Sequence, residues 1–492
     1  MPTILGANSV SGYTISNSVR FNDDDSAALS ITPGTASTSR KKWTWSGWIK
    51  RGEVPTDDDN DYSRIFNVKA DGNNYLISGF LFSSGFNVTA REGNTEVLKF
   101  EPSRKFRDHS AWTHIVMAYD STLGTARNRF RVYFNGEEDT TALDTTPDQN
   151  TELVVLEDVI HNIGRDNHGT AYYYDGYMAD VYLIDGTQYA ASDFGETDDN
   201  GVWIPKNFAG SCGTNGFKLE FQQTGTSQNS SGIGADTSGN DNHLAVTNLV
   251  ATDVTTDTPT NNFCTLNSVD ADPTAPTLAE GNLDYHSVSG TAFNPVRSTM
   301  AVTRGKWYAE WKYINTAGFL GVITTQSPLE ENIVSDANVR CILRIPAGYY
   351  AVRNNSGSGT DIGDDSQTFS DNDIGQVALD MDNGYVYFGI NGTYLKGQDG
   401  STTGNPAGNN GSAGGAANHP TQLMTDQHDG VIAFMAGDYT QNTTGQIQCN
   451  FGGGAPFAIS SGNADGEGHG NFEFAPPSGF FALCTKNLAK YG

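Results

Sequence analysis

At 492 residues the chain exceeds what one hydrophobic core usually serves, which points to two or more domains. Its 57 acidic and 29 basic residues leave a net charge of −28. That field repels phosphate backbones and anionic lipid, and so argues against nucleic acid and membrane as partners.

The N-terminal stretch MPTILGANSVSGYTISNSV has no basic start followed by an apolar core, so the product is expected to be made in a cytoplasm without a signal peptide. Beyond it, 25 Phe, 21 Tyr and 7 Trp are distributed among short period-two segments, and 56 Gly with many Thr, Ser, Asn and Asp supply the turns between them. Trp43 to Ile49, Trp112 to Tyr119 and Arg129 to Phe134 read as strands, the last with Phe130, Val132 and Phe134 on one face. Asn135-Gly136 then turns the chain. Tyr177 to Ile184 is apolar on both faces, as expected of a strand covered on both sides.

From about Cys212 to Asn282 the texture turns polar and rich in Gly, Ser, Thr and Asn. This reads as a connecting segment, too long for a bare loop, part of which packs on a sandwich. Lys306 to Tyr313 carries the clearest alternation, with Trp307, Ala309, Trp311 and Tyr313 on one face and Lys306, Tyr308, Glu310 and Lys312 on the other. Val377 to Asp380 and Tyr385 to Ile390 form a hairpin, followed by a turn at Asn391-Gly392, and Gly397 to Asn418 reads as a long loop. The tryptophans of these strands are expected in the cores. Cys212, Cys264, Cys341, Cys449 and Cys484 are far apart and odd in number, without metal spacing, and read as reduced, mostly buried thiols.

The order WTWSGWIKRG, AWTHIVMAYD, RFRVYFNGEE and IGRDNHGTAYYYDGYMADVYLIDG resembles the laminin G-like or concanavalin A-like lectin family. The landmarks are Trp112, His114, Asp120, Phe134, Asn135, Gly136, Ile163, Gly164, Gly176 and Asp180. GKWYAEWKY, GQVALDMDNGYVYFGING and CNFGGGAPFAISSG with APPSGFFAL resemble a SPRY domain. The implied fold is all-β, two antiparallel β-sandwiches of jelly-roll, concanavalin A-like type in tandem. Residues 1–210 would form the first, 211–285 the connecting segment and 286–492 the second.

Glycan binding needs aromatic rings to stack on sugar C–H groups and amide or imidazole groups to hold hydroxyls. Asn167, His168, Tyr172, Tyr173 and Tyr174 offer that mixture within the Gly164 to Gly176 segment, the alternative being that consecutive tyrosines roof the core. In the SPRY-like half the resemblance implies partner-binding loops, and Tyr349, Tyr350, Arg353 and Asn354 are the candidates because aromatics and Arg anchor interfaces. Asp57, Asp59 and Asp61, with Asp58 and Asn60, form a candidate calcium site, set against a plain exposed acidic loop. Asp180 either caps a turn or joins such a site, with structural use favoured. Calcium is the one cofactor under consideration.

No strand carries the spaced carboxylates of the lectin-fold glucanases, and no Gly-x-Ser-x-Gly elbow or His-Glu-x-x-His helix occurs, so a non-enzymatic role is expected. The paired domains and the segment joining them are similar to structural proteins of marine tailed phages. That resemblance implies a virion protein, a tail fibre or tail-associated adhesin. Its partners would be host-surface glycan and other virion proteins, and it would assemble as a homo-oligomer, a trimer by family analogy. Two alternatives stay open, a capsid decoration or head fibre touching only virion proteins, and a glycan-degrading enzyme.

Overall fold

The computed structural model describes residues 12–35, 37, 39–52, 62–81, 85–167, 172–272, 276–288, 293–315, 318–329, 340–344, 350–353, 359–361, 370–394, 406–408, 421–422, 430–438 and 445–492. The fold is nearly all-β with antiparallel sandwich sheets, and the described residues make two compact units that divide between Thr260 and Asn261.

The first unit packs two sheets face to face. In one, the strands run in the order Glu137–Glu138, Phe130–Phe134, Thr113–Asp120, Lys42–Arg51, Gly176–Asp185, Ser18–Phe21 and Val254–Thr255, with Phe217–Leu219 also paired to Gly176–Asp185. The other runs Leu143–Thr145, Thr95–Phe100, Phe86–Glu92, Tyr75–Leu81, Tyr62–Lys69, His161–Ile163, Ala28–Ile31 and Ala245–Thr247. Alternate side chains from both sheets meet in one core that includes Trp43, Trp45, Phe66, Phe130, Val132, Phe134 and Met178. Burying an aliphatic or phenyl side chain of this kind contributes about 1.5–3 kcal/mol.

The polar stretch expected at 211–285 is divided, with the residues up to Thr260 in this body and those from Asn261 in the second unit. The first part adds three very short strands, and Phe217, Leu219, Phe221, Ile233, Leu244 and Leu249 enter the core. A second layer explains why Gly176–Asp185 is apolar on both sides. On its outer face Tyr182 and Ile184 pack with Ala191, Phe194, Cys212 and the half-buried Trp203 and Phe208. Asn135-Gly136 is the expected tight turn, with φ of 49° and 81°.

The second unit has the same two-layer plan. One sheet runs Leu266–Ala271, Phe293–Val302, Ile432–Asp438, Gly318–Thr324, Arg340–Arg344, Tyr350–Arg353 and Gly359–Asp361. The other centres on Lys306–Tyr313, between Gln446–Asn450 and Ile374–Asp380, with Tyr385–Ile390 beyond. Trp307, Ala309, Trp311 and Tyr313 face the core, as the alternation predicts. The opposite face is not solvated at its centre. Tyr308 and Glu310 are fully buried, because the irregular segment after Asn450 folds back over them and Phe472, Phe480 and Cys484 pack around Tyr308. Glu310 holds that cover in place. Its carboxylate accepts the backbone N–H groups of Glu473 at 2.9 Å and Phe474 at 2.8 Å, the Tyr308 hydroxyl at 2.9 Å and the Asn450 amide at 3.3 Å.

Trp43, Trp45, Trp48, Trp112, Trp307 and Trp311 are all buried, as are the Cys212, Cys264, Cys449 and Cys484 thiols. Of the Gly397 to Asn418 stretch only 406–408 falls within the described residues. Among the described residues no helix is long and apolar enough to cross a membrane.

Candidate functional site

Antiparallel pairing sends alternate connections of the first unit to the same end. Register places Arg51 beside Gly176, Ile49 beside Thr113, Phe134 beside Ile115 and Tyr62 beside Leu81. The strand ends at Arg51, Tyr62, Leu81 and Phe86 and the connections 101–112, 135–136 and the described parts of 164–175 therefore gather at one rim, where a rigid scaffold can hold binding groups.

The 164–175 connection is a tight return. Gly164 has φ of 82°, and a Cβ there would lie 2.6 Å from the Phe21 ring, so glycine is required. Arg165 bridges Tyr173, and the Asp166 N–H donates to the Tyr172 carbonyl at 2.8 Å. This aims the buried Asp166 carboxylate at the outer face of the second sheet. There it accepts the Asn67 amide at 3.0 Å and lies 3.8 Å from the Arg64 guanidinium. Burial lowers the Arg64 pKa, and the Asp166 charge opposes that shift. Arg64 also stacks 4.3 Å over the Tyr62 ring and donates to the Asn87 carbonyl oxygen at 2.8 Å.

Tyr62 and Tyr172, both half-buried, meet edge to face with centroids 5.0 Å apart. Buried amide atoms sit close by in the sheet and the return. Among the described residues, the side-chain oxygens of Asn67 and Asn167 and both polar ends of Asn162 have no hydrogen-bond partner. Buried amides are normally satisfied, so unpaired ones near half-buried aromatic rings suit a polar ligand or water. Sequence pattern alone did not reveal Tyr62, Arg64, Asn67, Asn162 and Asp166. The first three lie about a hundred residues from the return and reach it only through strand pairing.

Several candidate residues fall elsewhere. Tyr173 is half-buried within the return, but Tyr174 is a correction. It is 0% exposed, and its hydroxyl donates to the Lys50 carbonyl at 2.7 Å, so it locks the return to the sheet and cannot stack on a ligand. His168 and the acidic Asp57, Asp59 and Asp61 lie outside the described residues, as do Tyr349 and Asn354. Tyr350 and Arg353 belong to a strand paired with Arg340–Arg344 and Gly359–Asp361, where the sequence suggested a loop. Among the described residues no group of three or more His, Cys, Asp or Glu side chains converges as metal ligands would. Asp180 sits in a β-bulge at φ 50°, buried, and accepts the hydroxyls of Tyr13 and Tyr182 at 3.1 Å.

The Ser46–His114 contact in the covering layer is not a nucleophile pair. The Trp203 indole N–H donates to His114 Nδ1 at 3.1 Å, so the ring proton sits on Nε2 and is donated to Ser46 Oγ at 2.9 Å. Burial drives the His114 pKa down to about 3, leaving no base to draw a proton from Ser46.

Residues 22–192 match the family model of the concanavalin A-like lectin/glucanases superfamily. The chain is also similar in structure to mouse laminin alpha1 chain domains LG4-5 at 9% identity, covering 92% of each chain with a TM-score of 0.29. A similarity to the SPRY domain of human HERC1, at 14% identity, covers 37% of this chain and 96% of that one, with a TM-score of 0.25. The heptameric SAP-like pentraxin from Limulus polyphemus is similar at 13% identity over 36% of this chain and 80% of that chain, with a TM-score of 0.26. No curated protein sequence matches the chain. Lectin-like and SPRY folds serve typically as binding domains, and the lectin superfamily often binds calcium.

Proposed function

We propose that the chain is a non-enzymatic adhesin of a tailed-phage virion, in the tail fibre or its surroundings, whose lectin-like unit binds host-surface glycan through the Tyr62/Tyr172 rim. The sequence resemblance supports the virion setting. The binding reading is carried by one observation, two half-buried tyrosines near buried amides that lack partners among the described residues. Ring edges and faces there offer apolar area to sugar C–H groups, and the amides and Asp166 offer donors and acceptors to hydroxyls. Such sites are individually weak, and a homotrimer would multiply them by effective concentration.

The test is glycan-array and host-cell binding by the full chain, with and without chelator, repeated for Tyr62→Ala and Tyr172→Ala. Loss of at least about tenfold in affinity in both variants is expected, since one aromatic contact is worth about 1 kcal/mol or more beyond its buried area. Host-glycan binding that ignores both substitutions, or none at all by the assembled protein, overturns the reading. Calcium dependence would appear as loss with chelator. Electron microscopy of particles tests the setting, and a distal tail position is the expected result.

A further inference from the structure

In the second unit, two strands beside Lys306–Tyr313 carry a polar array on their outer face. Along Asp284–His286 and Gln446–Asn450, Tyr285, Ile447 and Cys449 fill the core, so Asp284, His286, Gln446 and Gln448 project from the opposite face. Register sets Asp284 beside Gln448 and His286 beside Gln446, with Lys312 on the far side of Gln448.

Asp284 is 5% exposed, and its carboxylate gathers both glutamines. Gln446 Nε2 donates to Oδ1 at 3.2 Å and to Oδ2 at 3.0 Å, and Gln448 Nε2 donates to the same Oδ2 at 2.9 Å. His286 Nε2 lies 3.3 Å from Oδ1, with 43% of that side chain exposed. On the other flank the Lys312 Nζ sits 5.7 Å over the Phe457 ring.

A glutamine on the outer face of a sheet ordinarily spreads over many rotamers, and fixing one costs conformational entropy. Here a shared carboxylate fixes two and settles which way each points. The NH₂ ends turn inward to Asp284, so each carboxamide keeps its carbonyl oxygen and one N–H for an outside partner. Among the described residues neither carbonyl oxygen accepts a hydrogen bond. A pair of this kind is ordered before any ligand arrives, which lowers the cost of binding one.

A trans secondary amide directs its N–H and its C=O to opposite sides, so one carboxamide cannot meet both. Two can, one accepting the N–H and the other donating to the C=O. We propose that the Gln446/Gln448 pair binds the acetamido group of an N-acetylated amino sugar. The Lys312 methylene stem offers apolar surface to the acetyl methyl, and the Lys312 ammonium and His286 ring suit the hydroxyls of the same ring. A peptide backbone holds the same amide but takes its specificity from pockets for alternate side chains, whereas the groups flanking these glutamines are ones that bind hydroxyls. The site belongs to the second unit and does not rest on the tyrosine rim.

The experiment is saturation-transfer NMR with titration of the full chain by an N-acetylglucosamine oligosaccharide, a glucose oligosaccharide of the same linkage and length, and an N-acetylated oligopeptide. Binding of the first is expected, with the acetyl methyl the most strongly saturated group. Gln446→Met and Gln448→Met should each weaken it about fivefold, the loss of one hydrogen bond, and Gln228→Met, at an exposed glutamine of the first unit, should leave it unchanged. Both sites are partly exposed, so an unchanged melting temperature separates loss of binding from loss of fold. The proposal is overturned by equal binding of the glucose oligosaccharide, by indifference to both glutamine substitutions, by peptide binding as tight as that of the amino sugar, or by no binding at all. Glucose-oligosaccharide binding that ignores both substitutions would leave the tyrosine rim standing while this site falls.

Discussion

Asp257→Ala should cost the first unit about 4 kcal/mol, although it falls in a stretch whose composition looks like a linker. Asp257 Oδ2 lies 2.7 Å from the Lys50 ammonium, with side-chain exposures of 3% and 1%, and its Oδ1 accepts the Trp112 indole N–H at 3.1 Å. Removing the carboxylate takes away the buried ammonium's 2.7 Å ion pair and the indole's 3.1 Å acceptor. Breaking a buried pair costs about 3–5 kcal/mol and an orphaned donor about 1–3, with overlap between the two. Against a domain stability of about 5–15 kcal/mol that is a large fraction.

Hydrogen exchange of the full chain across a urea series localises the loss. Amides of Lys42–Arg51 should exchange at lower urea in the variant, while those of Lys306–Tyr313 in the other unit keep their protection. Lys50→Met combined with Asp257→Leu should recover most of the stability, since both charges then leave together. A single variant that loses under 1 kcal/mol, or a double variant as unstable as the single, would refute the argument.

The remaining predictions address charge and boundaries. Burial raises the Asp180 pKa from 3.8 to about 6, so the folded state holds that proton more tightly than the unfolded chain and loses stability as pH rises from about 4 through about 6. Asp180→Asn, tolerated at positive φ, should flatten this slope and stabilise the unit at pH 7 by about 2–3 kcal/mol, and melting curves that stay parallel between pH 4 and 8 would contradict it. Glu310→Gln replaces an acceptor with an NH₂ group facing donors only, at a cost of about 2–3 kcal/mol, and limited proteolysis should cut the segment around Glu473 first. A fragment ending at residue 210 should fail to fold, whereas 9–260 should fold alone, as circular dichroism and cooperative melting would report.

Where a strand is long, the sequence announces it. Trp307, Ala309, Trp311 and Tyr313 alternate over eight residues and all reach the core. Their neighbours Tyr308 and Glu310 also end up buried, and no local pattern warns of it, because the cover comes from irregular chain more than a hundred residues away. Phe217–Leu219, Ala245–Thr247 and Val254–Thr255 are too short for a period of two to show, which is why the stretch holding them reads as polar filler. In the tyrosine return, residue types do not separate the half-buried Tyr172 from the fully buried anchor Tyr174, and only the fold does.

The first unit begins and finishes at one place. Ser18 pairs with Thr255 and Val19 with Val254, while Phe21 at the far tip of the same strand lies beside Gly176 at the rim. Tension between a ligand held at the rim, as proposed, and the unit's two exits would therefore run along the strands and load many ladder bonds at once. Tension that drags the two exits apart instead peels the Val254–Thr255 pairing open one bond after another. The unit is mechanically directional, firm against a tug from its cargo and weak to prising at its base.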